Sequence, residues 1–239
     1  QWKGDPLNKK NLIIWNDVGI GDLFQFIRYT KPLVEQGENI IIACEGSQIE
    51  LIQNYLNWPL VNVINRDEFM PPPTDVAHIP LMSLISILDP TTQWGRRWEE
   101  PTWLLKKQAT EPSLIGLCWA SNPNDRSMHY YKSTKIEDLI KCIRKEDSSN
   151  PIVSLQTNEE IVHQQYALHP PLKDWTKTLE LIGQCKSVYS VDTAVAHLAG
   201  GSMVPVELHL ADIHDWRWRG EGPLWYKNLN VSNKDINSR

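Results

Sequence analysis

Near-continuous apolar runs of strand length recur along this chain, and each is followed by residues at helical spacing. Asn11-Leu12-Ile13-Ile14-Trp15 is the first such run. Residues 21 to 36 (GDLFQFIRYTKPLVEQ) then place Leu23, Phe26, Ile27 and, beyond the interruption at Pro32, Leu33 on one helical face, until Gly37 stops the helix. A second run, Asn39-Ile40-Ile41-Ile42-Ala43-Cys44, leads into a helix expected over 47 to 57, and a third strand is expected at 61 to 64. Strands without polar alternation are buried on both faces. That pattern belongs to a parallel sheet covered by helices on either side.

Residues 70 to 112 break the rhythm with Pro71, Pro72, Pro73, Pro80, Pro90, Pro101 and Pro112, and with Trp94, Trp98 and Trp103 among them. Irregular segments closing one domain are expected there. The rhythm then restarts: strands are expected at 113–119, 151–155, 187–191 and 204–210, and helices at 134–145 and 176–184. The expectation is therefore an α/β chain of two Rossmann-like domains, 1–112 and 113–239, with a ligand site in the cleft between them at the carboxyl ends of the strands.

Composition narrows the functions such a fold could serve. With 239 residues and 41% hydrophobic content the chain can bury two cores, and its net charge of −5 gives no global field for nucleic acid or anionic lipid. Cys44, Cys118, Cys142 and Cys185 form no CxxC pair and read as thiols in a reducing compartment. No apolar run reaches the roughly 20 residues of a membrane helix, and no signal pattern opens the chain, so a cytoplasmic protein that is not transmembrane is expected.

Three stretches carry groups suited to chemistry. In Trp15-Asn16-Asp17-Val18-Gly19-Ile20-Gly21-Asp22 a glycine turn opens the first helix, much as in the dinucleotide fingerprint GxGxxG, but Phe24 occupies the third glycine position and blocks that reading. What remains is Asp22 at a helix N-terminus, where it could be a simple cap or, kept ionised by the helix dipole, a general base. In Ser190-Val191-Asp192-Thr193-Ala194-Val195-Ala196-His197-Leu198-Ala199-Gly200-Gly201, Asp192 or Thr193 suits the N-cap. The N–H groups of Thr193, Ala194 and Val195 could receive an anion such as a diphosphate, with His197 on the same face. A capped, Ala-rich helix with a core histidine fits the same letters. The third stretch runs from Trp119 to Ser127 and on to Lys132-Ser133, a polar loop offering Ser121, Asn122, Arg126 and Lys132 after a strand end. Farther on, Arg217 and Arg219 lie among Trp216, Trp218 and Trp225, as packed stems or as an anion-binding patch. His209, Asp212, His214 and Asp215 have the spacing of no standard zinc site, so no metal is expected.

These residues together resemble the glycosyltransferases of the heptosyltransferase type, glycosyltransferase family 9, and most closely the catalytic regions that follow tetratricopeptide repeats in bacterial proteins. The segments that carry the resemblance are Trp2-Lys3-Gly4-Asp5-Pro6-Leu7, GIGDLFQFIRYTKPLVEQG, His78-Ile79-Pro80-Leu81-Met82-Ser83-Leu84, GLCWASNPNDRS, Ser154-Leu155-Gln156, SVDTAVAHLAG, and DWRW with PLWY. The sequence departs from the family pattern at Ser121, in the Met128-His129-Tyr130-Tyr131 stretch and at Glu207.

The resemblance implies a GT-B architecture with the acceptor mainly on the first domain and a nucleotide-sugar donor mainly on the second. It makes Asp22 the catalytic base, with Gly21, Gln25 and Arg28 on the acceptor side. Asp192, Thr193, Ala194, His197, Ser121, Asn122 and Lys132, or its rival Arg126, then hold the donor. The expected reaction is inverting, single-displacement transfer of a sugar to a glycan, lipid or protein hydroxyl. No DxD triplet is present, so no metal and no cofactor are expected. A degenerate nucleotide-binding module, or a nucleotide-sugar epimerase on the same fold, would be the alternatives.

Overall fold

The computed structural model describes the chain except for residues 9, 71–73, 89–99, 107–108, 157–164, 213, 219–224 and 234–239. Contacts divide it into two compact units. Unit 1 takes Gln1–Trp94, Thr102–Leu104 and Asp174–Thr176; unit 2 takes Gly95–Pro101, Leu105–Lys173 and Lys177–Arg239.

In unit 1 the order is β1 (Asn11–Trp15), α1 (Ile20–Phe26), α2 (Lys31–Glu35), β2 (Asn39–Cys44), α3 (Gly46–Tyr55), β3 (Asn62–Asn65), α4 (Arg66–Phe69), β4 (Ala77–Pro80) and α5 (Leu84–Leu88). The strands form one parallel sheet in the order β3-β2-β1-β4. The central strand β1 buries Leu12, Ile13 and Ile14, as its unbroken apolar run requires. The single helix expected over 21–36 is divided, because a 3₁₀ turn over Ile27–Thr30 separates α1 from α2. Pro32, in the first turn of α2, has no N–H to continue the earlier ladder, and the Thr30 hydroxyl donates to the Ile27 carbonyl at 2.8 Å. β4 lies in the proline-rich stretch expected to be irregular. It ends on Pro80 at the edge of the sheet, where a missing N–H is tolerated.

Unit 2 contains β5 (Leu114–Cys118), α6 (Arg126–Lys132), α7 (Ile136–Glu146), β6 (Ile152–Ser154), the greater part of α8 (Trp175–Ile182), β7 (Cys185–Val191), α9 (Ala194–Gly201), β8 (Val206–Leu210) and β9 (Leu229–Asn233). Its sheet is also parallel, in the order β6-β5-β7-β8-β9. Ile136, Leu139 and Ile143, spaced along one face of α7, pack on Ile115, Leu117 and Tyr189 of the sheet. Gly116 in β5 lets Leu155 approach closely, since a Cβ there would stand 2.7 Å from Leu155 Cδ1. Each unit is thus Rossmann-like, as the two sequence rhythms imply.

All four cysteines are free. Burial pushes the Cys44 and Cys185 thiols up to about 12, so both are protonated core groups. Among the described residues no helix is long and apolar enough to cross a membrane.

Phe24 is fully buried and meets Trp103 and Trp175 edge-on, at centroid distances of 5.5 and 5.1 Å. The bulk that breaks the dinucleotide fingerprint is therefore a centre of the unit 1 core. Phe24→Ala is expected to lower the stability of unit 1 by about 3–5 kcal/mol in urea unfolding followed by tryptophan fluorescence.

Candidate functional site

In unit 2 the strand order reverses at β5, which has β6 on one side and β7 on the other. Crevices outside the carboxyl ends of strands at such a switch point are where open α/β sheets bind ligands. The chain leaves β5 through Trp119-Ala120-Ser121 and leaves β7 through Asp192-Thr193.

The β5 exit is fixed by Gln156, which follows β6. Its Nε2 donates to the Ala120 carbonyl at 2.8 Å, and its Oε1 accepts from the Ala120 N–H at 3.2 Å. The Cys118 thiol also contacts Gln156 Oε1 at 3.4 Å and Thr193 Oγ1 at 3.5 Å, joining the two exits. Ser121 is 9% exposed, and its Oγ has no hydrogen-bond partner. Its N–H donates to Ser133 Oγ at 3.1 Å, and its carbonyl accepts from His129 Nδ1 at 2.8 Å.

The segment expected as a loop after β5 is in part the helix α6. Asp125 caps it, accepting from the Met128 N–H at 3.1 Å and the Ser127 hydroxyl at 2.9 Å. No residue of α6 is buried, so the helix lacks the apolar periodicity that would reveal it in sequence. Lys132, in its last turn, reaches Asp192 with Nζ 2.7 Å from Oδ2.

Thr193 is the N-cap of α9, with extended backbone and no side-chain cap. The first-turn N–H groups of any α-helix have no acceptor within it, so Thr193, Ala194 and Val195 offer donors at the β7 exit. The Thr193 hydroxyl lies 3.2 Å from Ser190 Oγ. Asp192 is 5% exposed. Burial pushes its carboxyl up, but Lys132, His197 and Arg217 together outweigh that and hold it below the usual carboxylate range.

His197 is 2% exposed and stacks on Trp218 at 5.5 Å, 19° from parallel. Its Nδ1 is 3.0 Å from the Tyr226 hydroxyl and its Nε2 is 3.9 Å from Asp192 Oδ1. It braces Asp192 from behind, where the sequence suggested a direct ligand contact. Tyr226 can sit there because residue 200 is glycine: a Cβ would stand 2.8 Å from the tyrosine ring. In the tail, Trp218, Trp225 and Tyr226 are buried, whereas Trp216 is exposed. Arg217 holds Asp215 through Nε at 3.0 Å and Nη2 at 2.9 Å, and the Trp225 indole donates to the Arg217 carbonyl at 2.8 Å. Arg219 lies outside the described residues.

The structure thus pairs Asp192 with Lys132 and His197, sets the Thr193 hydroxyl against Cys118 and Ser190, holds Ser121 against Ser133 and His129, and puts Ala194 at the helix mouth. Asn122 and Arg126 are exposed at the start of the same segment. Sequence reasoning named Gln156, His129, Ser133, Trp218 and Tyr226 only within motifs or clusters and gave none a place in the site, because their contacts become visible only when distant segments meet.

In unit 1 the N-cap of α1 is Gly19, so Asp22 stands within the first turn and is not itself the cap. The turn before it is shaped by Asn16, whose Nδ2 donates to the Val18 carbonyl at 3.0 Å, and by Arg66, which donates to the Asn16 carbonyl at 2.9 Å. Asp22 and Gly21 are half-buried, whereas Gln25 and Arg28 are fully buried. Those last two brace α1 from the core and are closed to direct contact with an acceptor.

Comparison with solved structures gives the fold a context. The E. coli heptosyltransferase WaaC with ADP matches 94% of this chain and 93% of its own, with TM-score 0.63 and 11% identity. A family 9 glycosyl transferase from Veillonella parvula matches 96% of this chain and 88% of its own, with TM-score 0.58 and 12% identity. The dodecameric glycosyltransferase TibC from enterotoxigenic E. coli matches 92% of this chain with TM-score 0.57 and 12% identity, and this chain spans 64% of its length. No protein-family model and no curated protein matches the sequence. The fold is heptosyltransferase-like, as the motifs imply.

One expectation is corrected. TibC is described as iron-containing, so the expectation of no cofactor does not stand. Among the described residues, no group of three or more His, Cys, Asp or Glu side chains could hold a metal ion. In the 209–215 stretch His209 Nδ1 lies 3.1 Å from Ser232 Oγ and His214 Nδ1 lies 3.0 Å from the Ala211 carbonyl. With no three-ligand set, the described residues do not fit an iron centre.

A folded-state carboxyl held below its unfolded value contributes stability above the unfolded pKa of about 3.9 and loses it as pH falls through the folded one. The melting-temperature advantage of the wild type over Asp192→Asn is therefore expected to be full above about pH 4 and to vanish on further acidification.

Proposed function

We propose that this chain is a glycosyltransferase that moves a sugar from a nucleoside-diphosphate donor to an acceptor hydroxyl with inversion. The observation that carries the reading is the α9 mouth: uncapped helix N–H groups at a switch point, beside a lysine held by a buried aspartate. The heptosyltransferase-like fold supports it. In this reading unit 2 binds the donor and unit 1 the acceptor.

Asp22 accepts the proton of the acceptor hydroxyl. The resulting oxygen attacks the anomeric carbon as the bond to the diphosphate breaks on the opposite face, through an oxocarbenium-like transition state. The growing charge on the leaving group is met by the N–H groups of Thr193, Ala194 and Val195 and by Lys132, with Arg126 at the rim. Preorganised donors of this kind contribute on the order of 3 kcal/mol each to such steps. Ser121 and Asn122 lie at the β5 exit, where a sugar or ribose hydroxyl would find their polar atoms. Since WaaC was solved with ADP and TibC with ADP-D-beta-D-heptose, an ADP-linked sugar is the first donor to test. The acceptor is a glycan, lipid or protein hydroxyl.

Asp22→Asn is expected to lower turnover by about 10²–10⁴-fold, the usual contribution of a general base, with donor binding unchanged. Turnover is read from nucleoside diphosphate release, and binding from the melting-temperature rise with donor. Wild-type turnover in the variant would remove Asp22 as base. Thr193→Trp, which fills the α9 mouth, is expected to abolish the ligand-induced shift.

A further inference from the structure

An ammonium and an imidazole face one carboxylate at the exit of β7. Lys132 Nζ stands 2.7 Å from Asp192 Oδ2, and His197 Nε2 stands 3.9 Å from Oδ1. The aspartate and the histidine side chains are 5% and 3% exposed, and only the lysine, at 22%, meets solvent appreciably. Removing the partner of a buried carboxylate is strongly unfavourable, because the charge is left uncompensated away from water. The ammonium therefore cannot turn toward an anion at the α9 mouth at low cost unless another cation takes its place beside Asp192.

His197 is placed to do so. The carboxylate opposite Nε2 favours the neutral tautomer with its proton on that nitrogen, and Nδ1 then accepts from the Tyr226 hydroxyl at 3.0 Å. A hydroxyl can donate or accept, so the same tyrosine accepts from Nδ1–H once the ring is charged. Trp218, stacked on the imidazole, presents a π face that suits a cation. Among the described residues, other polar and charged groups come to the pair from several elements. Arg217 and Asp215 face it from the 3₁₀ turn Trp216–Trp218 and its approach and are bonded to each other; Lys132 comes from α6, Asp192 from the β7 exit and Tyr226 from the segment before β9. α9 itself carries no other titratable side chain.

We propose that His197 is the proton store of this site: an anion that draws Lys132 away from Asp192 makes His197 take up one proton from solvent, so that anion and proton bind together. The N–H bond forms at Nδ1, the proton comes from water or buffer, and the reverse exchange returns it when the anion leaves. The proposal rests on the reading of the α9 mouth as a diphosphate site. It makes diphosphate affinity rise as pH falls, up to tenfold per pH unit, between the ring pKa values of the free and bound states.

Two measurements test it. The first needs no ligand: the ring nitrogens of His197 are titrated by NMR in the wild type and in Lys132→Gln, which removes the positive charge opposite Asp192 while keeping a polar side chain. The imidazole pKa is expected to rise by about one to three units in the variant and to fall back in Lys132→Gln/Asp192→Asn. An unchanged value in Lys132→Gln overturns the charge exchange. The second is calorimetry of inorganic pyrophosphate and of ADP near pH 7 in buffers of different ionisation enthalpy. Net proton uptake is expected to be greater in the wild type than in His197→Gln by close to one proton, a difference from which the protons exchanged by the ligand itself cancel; equal uptake in the two proteins overturns the proposal. Failure of both ligands to bind overturns the anion step together with the donor-site reading, while the ring titration still judges the exchange between Lys132 and His197.

Discussion

The carboxylate of Asp192, nearly buried at the end of β7 and joined to Lys132 at 2.7 Å, is the interaction on which the rest of the site depends. A charge at that depth persists only if it is paired, and its partner comes from a helix that buries no residue of its own. The ion pair and the His129 contact to the Ser121 carbonyl fasten α6 to the sheet by polar contacts. Behind the carboxylate, His197, Trp218 and Tyr226 form a wall whose closeness is permitted by Gly200. Trp218 and Tyr226 of the tail thus support the site, and Arg217 is bonded to Asp215.

The same economy explains the two units. Parallel strands need cover on both faces, so their sequences are apolar throughout and their polar residues collect at the carboxyl ends. In unit 2 those ends hold Ser121, Gln156 and the pair Asp192-Thr193 on three different stretches of chain, with Gln156 bonded to Ala120 beside Ser121 and Cys118 contacting both Gln156 and Thr193. In unit 1 the corresponding turn after β1 holds Asp22 in the first turn of α1, over a core centred on Phe24. Rigid sheets position the groups, and short turns present them.

Much of this was legible in the sequence wherever burial dictates composition. Asn11–Trp15, Asn39–Cys44 and Leu114–Cys118 read as strands because both faces of each must be apolar. β4 and β9 did not, since an edge strand needs less burial and tolerates AHIP or LNVSN. α6 was invisible because a helix without a buried face leaves no period to detect. Asp192 and Thr193 were recognisable from the strand-to-helix junction, which is local. The pairing of Asp192 with Lys132 and the inward turn of His197 are tertiary facts that no spacing encodes. Asp22 was placed at the right turn, and of the two roles left open for it the simple cap is removed, because the cap is the glycine three residues before it.

The most direct test of the central claim is an amide chemical-shift map of the isotope-labelled protein with ADP and UDP. If the β5–β7 switch point is the diphosphate site, the largest shifts fall on the N–H groups of Thr193, Ala194, Val195 and Ser121. Shifts confined to other parts of the chain, or none with any nucleoside diphosphate, would contradict it.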